Sequence, residues 1–231
     1  MLSTEAIILL DVDNTLFDND RFKDDLAARL LRDFGPERAA IYWRHYEAVR
    51  GEVGYVDYLA ALQRLRLEID ETPELLAMSS FLLDYPFADH LYAHALEAIA
   101  HLRTIAAVAI FSDGDIVFQP RKIQRAGLWD AVQGRVLVTV HKERSIDALR
   151  ARFPAAHYVM VDDKPQLLAA MKRVLGDGLT TVFVRQGHYA ADAAHAMPEP
   201  APDRVVERIG DLCQATGDWL RIPAPAAVGG T

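Results

Sequence analysis

Five short apolar runs, none of which alternates cleanly between apolar and polar residues, constrain this chain most. They are residues 6–10 (AIILL), 106–111 (AAVAIF), 136–140 (VLVTV), 157–161 (HYVMV) and 180–184 (TTVFV). A strand with one wet face shows a period of two, whereas a strand covered on both faces reads as a near-continuous apolar run. Between the later runs, residues 118–126, 143–153 and 166–175 carry apolar side chains at helical spacing. This βαβ series predicts an α/β fold, a doubly wound, Rossmann-like parallel sheet of about five strands.

One connection is too long for a simple crossover. Residues 11–105 separate the first two runs by 95 positions, and a structureless loop of that size is implausible. The stretch reads as helices. Leu26, Leu30 and Phe34 share a face, as do Tyr42, Tyr46 and Val49, with Gly35-Pro36 between them. Leu59, Leu62 and Leu65 mark a third helix, and Thr72-Pro73 opens a fourth. The expected organisation is a core from residues 1–18 and 86–231 and a helical insert over 19–85. A final amphipathic helix carries Val205, Val206, Ile209 and Leu212, and 223–231 forms a loose tail.

Composition excludes several roles. The formal net charge is -8 without a long basic run, which argues against a nucleic-acid-binding surface. No stretch approaches the roughly 20 apolar residues of a membrane span. The single cysteine, Cys213, reads as a core thiol and fits a reducing compartment, so the expected location is the cytoplasm. His90 and His94 stand four apart on an expected helix, with His101 beyond. Without an accompanying glutamate motif they read as solvated histidines and not as a zinc site.

The chemistry lies where the runs end. Asp11 and Asp13 follow the first, Ser112 the second, His141 and Lys142 the third, and Asp162 and Asp163 the fourth. Ligands of an open parallel sheet bind at the carboxyl ends of its strands, so these side chains converge on one crevice. Four carboxylates together repel one another unless some are protonated or a divalent cation joins them. Mg²⁺ suits such oxygen ligands. With a lysine and a hydroxyl beside it, the set can hold a phosphoryl group, with one carboxylate as nucleophile and another as proton carrier.

The segments DVDNTLF, FSDGD, Lys142 and VMVDDK, in this order, resemble the four motifs of the haloacid-dehalogenase-like hydrolase superfamily. The helical insert resembles that family's C1-type cap. The resemblance implies Asp11 as the phosphate-accepting nucleophile and a Mg²⁺ ligand. It implies Asp13 as the general acid/base, whose backbone carbonyl also reaches the metal. Ser112 and Lys142 match the phosphate binders, and Asp162 and Asp163 the acidic pair, Asp163 favoured as the direct ligand. Thr15 shapes the turn after Asp13. Family members that break carbon–halogen bonds lack the second acid, so Asp13 favours phosphoryl transfer.

Asp113 stands where the family often has asparagine. It either borders the substrate beside Ser112 or, with Asp115, serves the turn around Gly114. Asp18 and Asp20 suit a hinge or a helix N-cap. Arg44, His45 and Arg50, next to GEVGY (residues 51–55), are either a solvated basic face or part of a substrate-selecting loop in which Arg50 or Arg44 holds a distal anion. Lys164 either supports the acidic pair or faces solvent.

The expected function is a Mg²⁺-dependent phosphatase acting on a small phosphorylated metabolite, as a monomer or homodimer. A phosphomutase resembling β-phosphoglucomutase is the alternative. A receiver-like phospho-acceptor domain is disfavoured by the Asp11–Asp13 spacing and the long insert.

Overall fold

The apolar runs become strands of one parallel sheet with the order β3-β2-β1-β4-β5-β6. The computed structural model describes residues 4–69, 72–193 and 197–222, so the expected tail at 223–231 lies outside the described residues. Strand β1 (Thr4–Leu10) leads into helices α1 (Asn19–Val53), α2 (Tyr58–Glu68) and α3 (Pro73–Asp84). A 3-10 turn (Phe87–His90) and α4 (Ala95–Leu102) then precede β2 (Ala107–Asp113). Helices α5 (Phe118–Arg125) and α6 (Leu128–Ala131) lead to β3 (Val136–Thr139), and α7 (Ile146–Arg152) to β4 (Ala155–Asp162). Helix α8 (Pro165–Leu175), β5 (Leu179–Val184), α9 (Gly187–Ala193) and β6 (Arg204–Val206) complete the series.

The two-sided burial read from the runs is visible in β1. Ile8 and Leu10 pack into one cluster with the insert and α4, while Ile7 and Leu9 enter the other with Leu149, Leu168 and Met171. Fully burying one such side chain contributes about 1.5–3 kcal/mol, so a polar residue inside β1 would be strongly selected against on packing alone.

Among the described residues the elements of the insert are all helices, and the sequence explains their breaks. Gly35 has φ 76, ψ 172 inside α1 and kinks it just before Pro36, since only glycine takes that conformation without strain. Asp18 caps α1 by accepting from the Arg21 N–H, and Pro73 occupies the first turn of α3. Phe22 of α1 and Tyr58 of α2 pack at tilted angles against Phe118 of α5, with ring centroids 5.5 and 5.1 Å apart, so aromatic packing joins the insert to α5 of the core. The chain enters and leaves the insert through a narrow stem. Phe17 and Leu91 form an antiparallel bridge, the Asp18 N–H donates to the His90 carbonyl at 2.9 Å, and the Tyr92 N–H donates to Leu16 at 2.9 Å.

Among the described residues the sheet has six strands, in keeping with the doubly wound parallel sheet of about five that was expected. Two expectations need correction. The expected last helix is instead β6 and a 3-10 turn (Ile209–Gln214): Val205 and Val206 pair with Phe183 and Val184 along the sheet edge, where β-branched residues fit. His90 and His94 do not share a helix, because His90 ends a 3-10 turn and His94 precedes α4 with φ 65. No helix among the described residues is long and apolar enough to cross a membrane.

Candidate active site

The site sits where the strand order reverses. β2 lies on one side of β1 and β4 on the other, and Leu10 pairs in register with Val161, which brings Asp11 beside Asp162. The Asp11 N–H still donates to the Val161 carbonyl at 3.0 Å. The chain then turns, with the N–H groups of Thr15, Leu16 and Phe17 all directed to the Val12 carbonyl. Asn14 takes φ 58 in this turn, a conformation asparagine tolerates better than most residues.

The turn sends the two carboxylates of DVD in different directions. Asp11 is buried and accepts from Lys142 Nζ at 2.6 Å and from Thr15 Oγ1 at 3.4 Å. Asp13 is half-buried and pairs with Lys122 Nζ through one oxygen and Gln119 Nε2 through the other, the latter at 3.2 Å. Gln119 Nε2 also donates to Ser112 Oγ at 2.9 Å, so one amide ties the ends of β1 and β2 together.

Lys142 is fully buried and bridges Asp11 and Asp162, at 2.6 and 2.5 Å. Burial alone would lower its pKa, but the carboxylates of Asp11 and Asp162 outweigh that and raise it, so it stays charged. Asp162 is pushed up by burial and held back by Lys142; its other oxygen accepts from the Lys164 N–H at 2.9 Å.

Asp163 is different. It is fully buried, and neither carboxylate oxygen has a hydrogen-bond partner. Burial, then Asp162 and Asp11, push its carboxyl well above the usual range. One oxygen from each of Asp11, Asp162 and Asp163 lies within 4.8 Å of the others, the one such acidic group found among the described residues. An orphaned buried carboxylate in an all-oxygen donor set is what a hard divalent cation fits. The Asp13 carboxylate is outside this group.

Asp113 lines the cavity, but its Oδ1 is taken up by the Thr139 hydroxyl at 3.1 Å and the Lys142 N–H at 2.8 Å. It thus anchors the turn that carries Lys142. Burial pushes its carboxyl up to about 6. Asp115 accepts from the N–H groups of Val117 and Phe118 and starts α5. Lys164 is half-buried on the cavity wall; burial opposes its charge, and Asp11 and Asp162 more than restore it.

Above these groups is a cavity of about 220 Å³, walled on the insert side by Lys23, Tyr46, Arg50 and Tyr55. Arg44 is not on that wall: it pairs with Glu68 at 2.6 Å on the surface. The GEVGY segment closes over the strand ends. A Cβ on Gly54, which has φ +82, would lie 2.8 Å from the His141 ring. Asp20 joins the first turn of α1 to α9, accepting from Asn14 at 3.1 Å and from the His188 N–H at 2.8 Å.

Lys122, Gln119 and Lys23 escaped sequence reading. Positions 119 and 122 are three apart and share a helix face, which was the available signal, but one sequence does not say that this face meets β1.

A family model for haloacid dehalogenase-like hydrolases matches residues 6–174. A structure from Burkholderia xenovorans LB400, described as a haloacid dehalogenase-like hydrolase, is 54% identical, with 92% of this chain and 99% of that chain covered and a TM-score of 0.84. A HAD-hydrolase from Bacillus subtilis, bound to magnesium, is 16% identical over 91% of this chain and 97% of its own, with TM-score 0.57. A defluorinating L-2-haloacid dehalogenase is 14% identical over 90% and 94%, with TM-score 0.56. A search of curated proteins gave no significant match. With the matched region running from β1 through α8, across every acidic strand end just described, the chain belongs to the haloacid dehalogenase-like hydrolase family.

Proposed function

We propose that this hydrolase is a Mg²⁺-dependent phosphatase that releases phosphate from a small phosphorylated metabolite through an aspartyl-phosphate on Asp11. The observation that carries the reading is the Asp163 carboxylate, buried with both oxygens unpartnered beside Asp11 and Asp162. Asp11, Asp162 and Asp163, with the backbone carbonyl of Asp13, would hold Mg²⁺, whose charge when bound neutralises the phosphoryl oxygens and the crowded acids.

Asp11 is aimed by Lys142 and Thr15 and attacks phosphorus, forming an O–P bond as the bond to the leaving oxygen breaks. Ser112 and Lys142 receive the phosphoryl oxygens. Asp13, held at the cavity wall by Lys122 and Gln119, gives a proton to the leaving oxygen. It then takes one from the water that cleaves the acyl phosphate. A halide leaves without a proton whereas an alkoxide oxygen needs one, so an acid in the place of Asp13 supports the phosphatase reading. The helical insert over 19–85 serves as the cap that excludes water during the first transfer. A cavity of about 220 Å³ is smaller than those for drug-sized ligands, about 300–1,000 Å³, in keeping with a small substrate. The lone cysteine suits the cytoplasm.

Phosphate release from a panel of phosphorylated metabolites with Mg²⁺ tests the reading. Asp11→Asn should lose at least about 10³-fold in kcat, and undiminished turnover would remove Asp11 as nucleophile. An isomeric sugar phosphate formed in place of free phosphate would assign the chain to the mutases.

A further inference from the structure

The cavity wall opposite the acids carries positive charge that the phosphatase chemistry does not use. Three acids line the cavity, and each is already engaged. Asp13 pairs with Lys122, Asp113 accepts from Thr139 and Lys142, and Asp115 accepts from the start of α5. On the insert side, Lys23 is half-buried and has no carboxylate within salt-bridge distance among the described residues. Its Nζ lies 5.7 Å from the ring centroid of Tyr46, which shares the cavity wall. Arg50 follows one turn after Tyr46 on α1 and also lines the cavity, with only a long 3.8 Å contact to the exposed Glu47. A half-buried ammonium without a counter-ion costs free energy that an anionic ligand would recover. The whole chain carries a formal charge of -8, so attraction of an anion to this cavity has to come from local cations of this kind.

Given the phosphatase reading, on which this step rests, we infer that the substrate carries a second anionic group, a carboxylate or another phosphate, at the end away from the scissile ester. Lys23 and Arg50 hold that group. The scissile phosphate occupies Ser112, Lys142 and Asp11 at the strand ends, and the insert wall selects for the far end. The small cavity keeps the two groups a few bonds apart.

Three esters with one three-carbon skeleton test this with Mg²⁺ present: glycerol phosphate, phosphoglycerate and glycerol bisphosphate. The readout is the ratio of kcat/KM for each doubly anionic ester to that for glycerol phosphate. The wild type should show a ratio of at least about tenfold for one of the acidic esters, the size expected of one charge-assisted hydrogen bond, and the preferred ester tells carboxylate from phosphate. Lys23→Met should cut that ratio at least about fivefold, mainly through KM, and Lys23→Arg should restore it. A wild-type ratio near one, or a ratio that Lys23→Met leaves unmoved, overturns the inference while the phosphatase reading stands. No phosphate release from any of the three esters, nor from the wider panel, overturns both.

Discussion

Asp163→Asn should make the metal-free protein more stable and the metal-loaded protein relatively less so. One oxygen of Asp163 lies within 4.8 Å of an oxygen on each of Asp11 and Asp162, a spacing at which two unit charges repel by about 3–4 kcal/mol at an effective dielectric of about 20. Lys142 and Lys164 return part of this, leaving a penalty of about 2–3 kcal/mol for the metal-free site. The amide removes the charge and can donate to a neighbouring carboxylate. For a chain of this size each kcal/mol moves the midpoint by about 2–4 °C, so the variant should melt about 5–10 °C above wild type in chelator. Magnesium closes the gap. At about 100 times its dissociation constant a cation stabilises the wild type by about 3 kcal/mol, and the variant, short of one ligand, gains little.

The sign with pH follows from burial and the neighbouring Asp162 and Asp11, which push the Asp163 carboxyl well above its ordinary value. Metal-free folded protein then keeps a proton that the unfolded chain loses, so its stability falls as pH rises past the usual carboxylate range. The gap between variant and wild type should therefore widen from acid toward neutral pH. Thermal melts of both proteins, with chelator and with Mg²⁺, supply the measurement. Equal midpoints in chelator at neutral pH, or equal Mg²⁺ shifts in the two proteins, would refute the assignment of Asp163 as a cation ligand.

Three further outcomes are expected. Lys122→Met leaves Asp13 without its ion-pair partner and should lower kcat about 10–100-fold for alkyl phosphates but much less for p-nitrophenyl phosphate, whose leaving group needs no proton; equal losses would detach Lys122 from proton transfer. Gly187→Ala places a Cβ 2.5 Å from the Asn14 side chain at φ +68 and should cost about 1–3 kcal/mol in denaturant melts. Asp113→Asn keeps an acceptor for Thr139 and Lys142. Because burial lifts the wild-type carboxyl to about 6, the variant should gain stability relative to wild type as pH rises from about 4 to 6, with no further gain above; parallel pH curves would contradict this.

The sheet was legible because burial on both faces leaves a compositional trace that needs no partner information: LeuLeu at 9–10 or PheVal at 183–184 suits little else. Strand β6 was not, since three residues cannot establish a period, and Val205, Val206, Ile209 and Leu212 fit a helical spacing equally well. The acids at the ends of β1 and β4 were legible for the same topological reason as the sheet, because residues after parallel strands gather at one edge. What surrounds Asp13 was hidden. Lys122 and Gln119 reach it from more than 100 positions away, and that meeting is decided by how α5 packs, a tertiary fact with no local signature. Asp113 shows the same limit at shorter range: its identity was plain, but only the register of β2 beside β3, which pairs it with Thr139, turns it toward the Lys142 backbone.

The stem formed by Phe17 and Leu91 has a consequence for descent as well as for catalysis. Both ends of the insert are tied together by backbone hydrogen bonds, so the cost of closing the excursion is met at the stem and grows only slowly with the length beyond it. Helices past that point can be lengthened, shortened or replaced without moving β1 or the turn that aims Asp11. A lineage carrying this stem can therefore inherit its acidic strand ends unchanged while the chamber above them is rewritten for a new molecule.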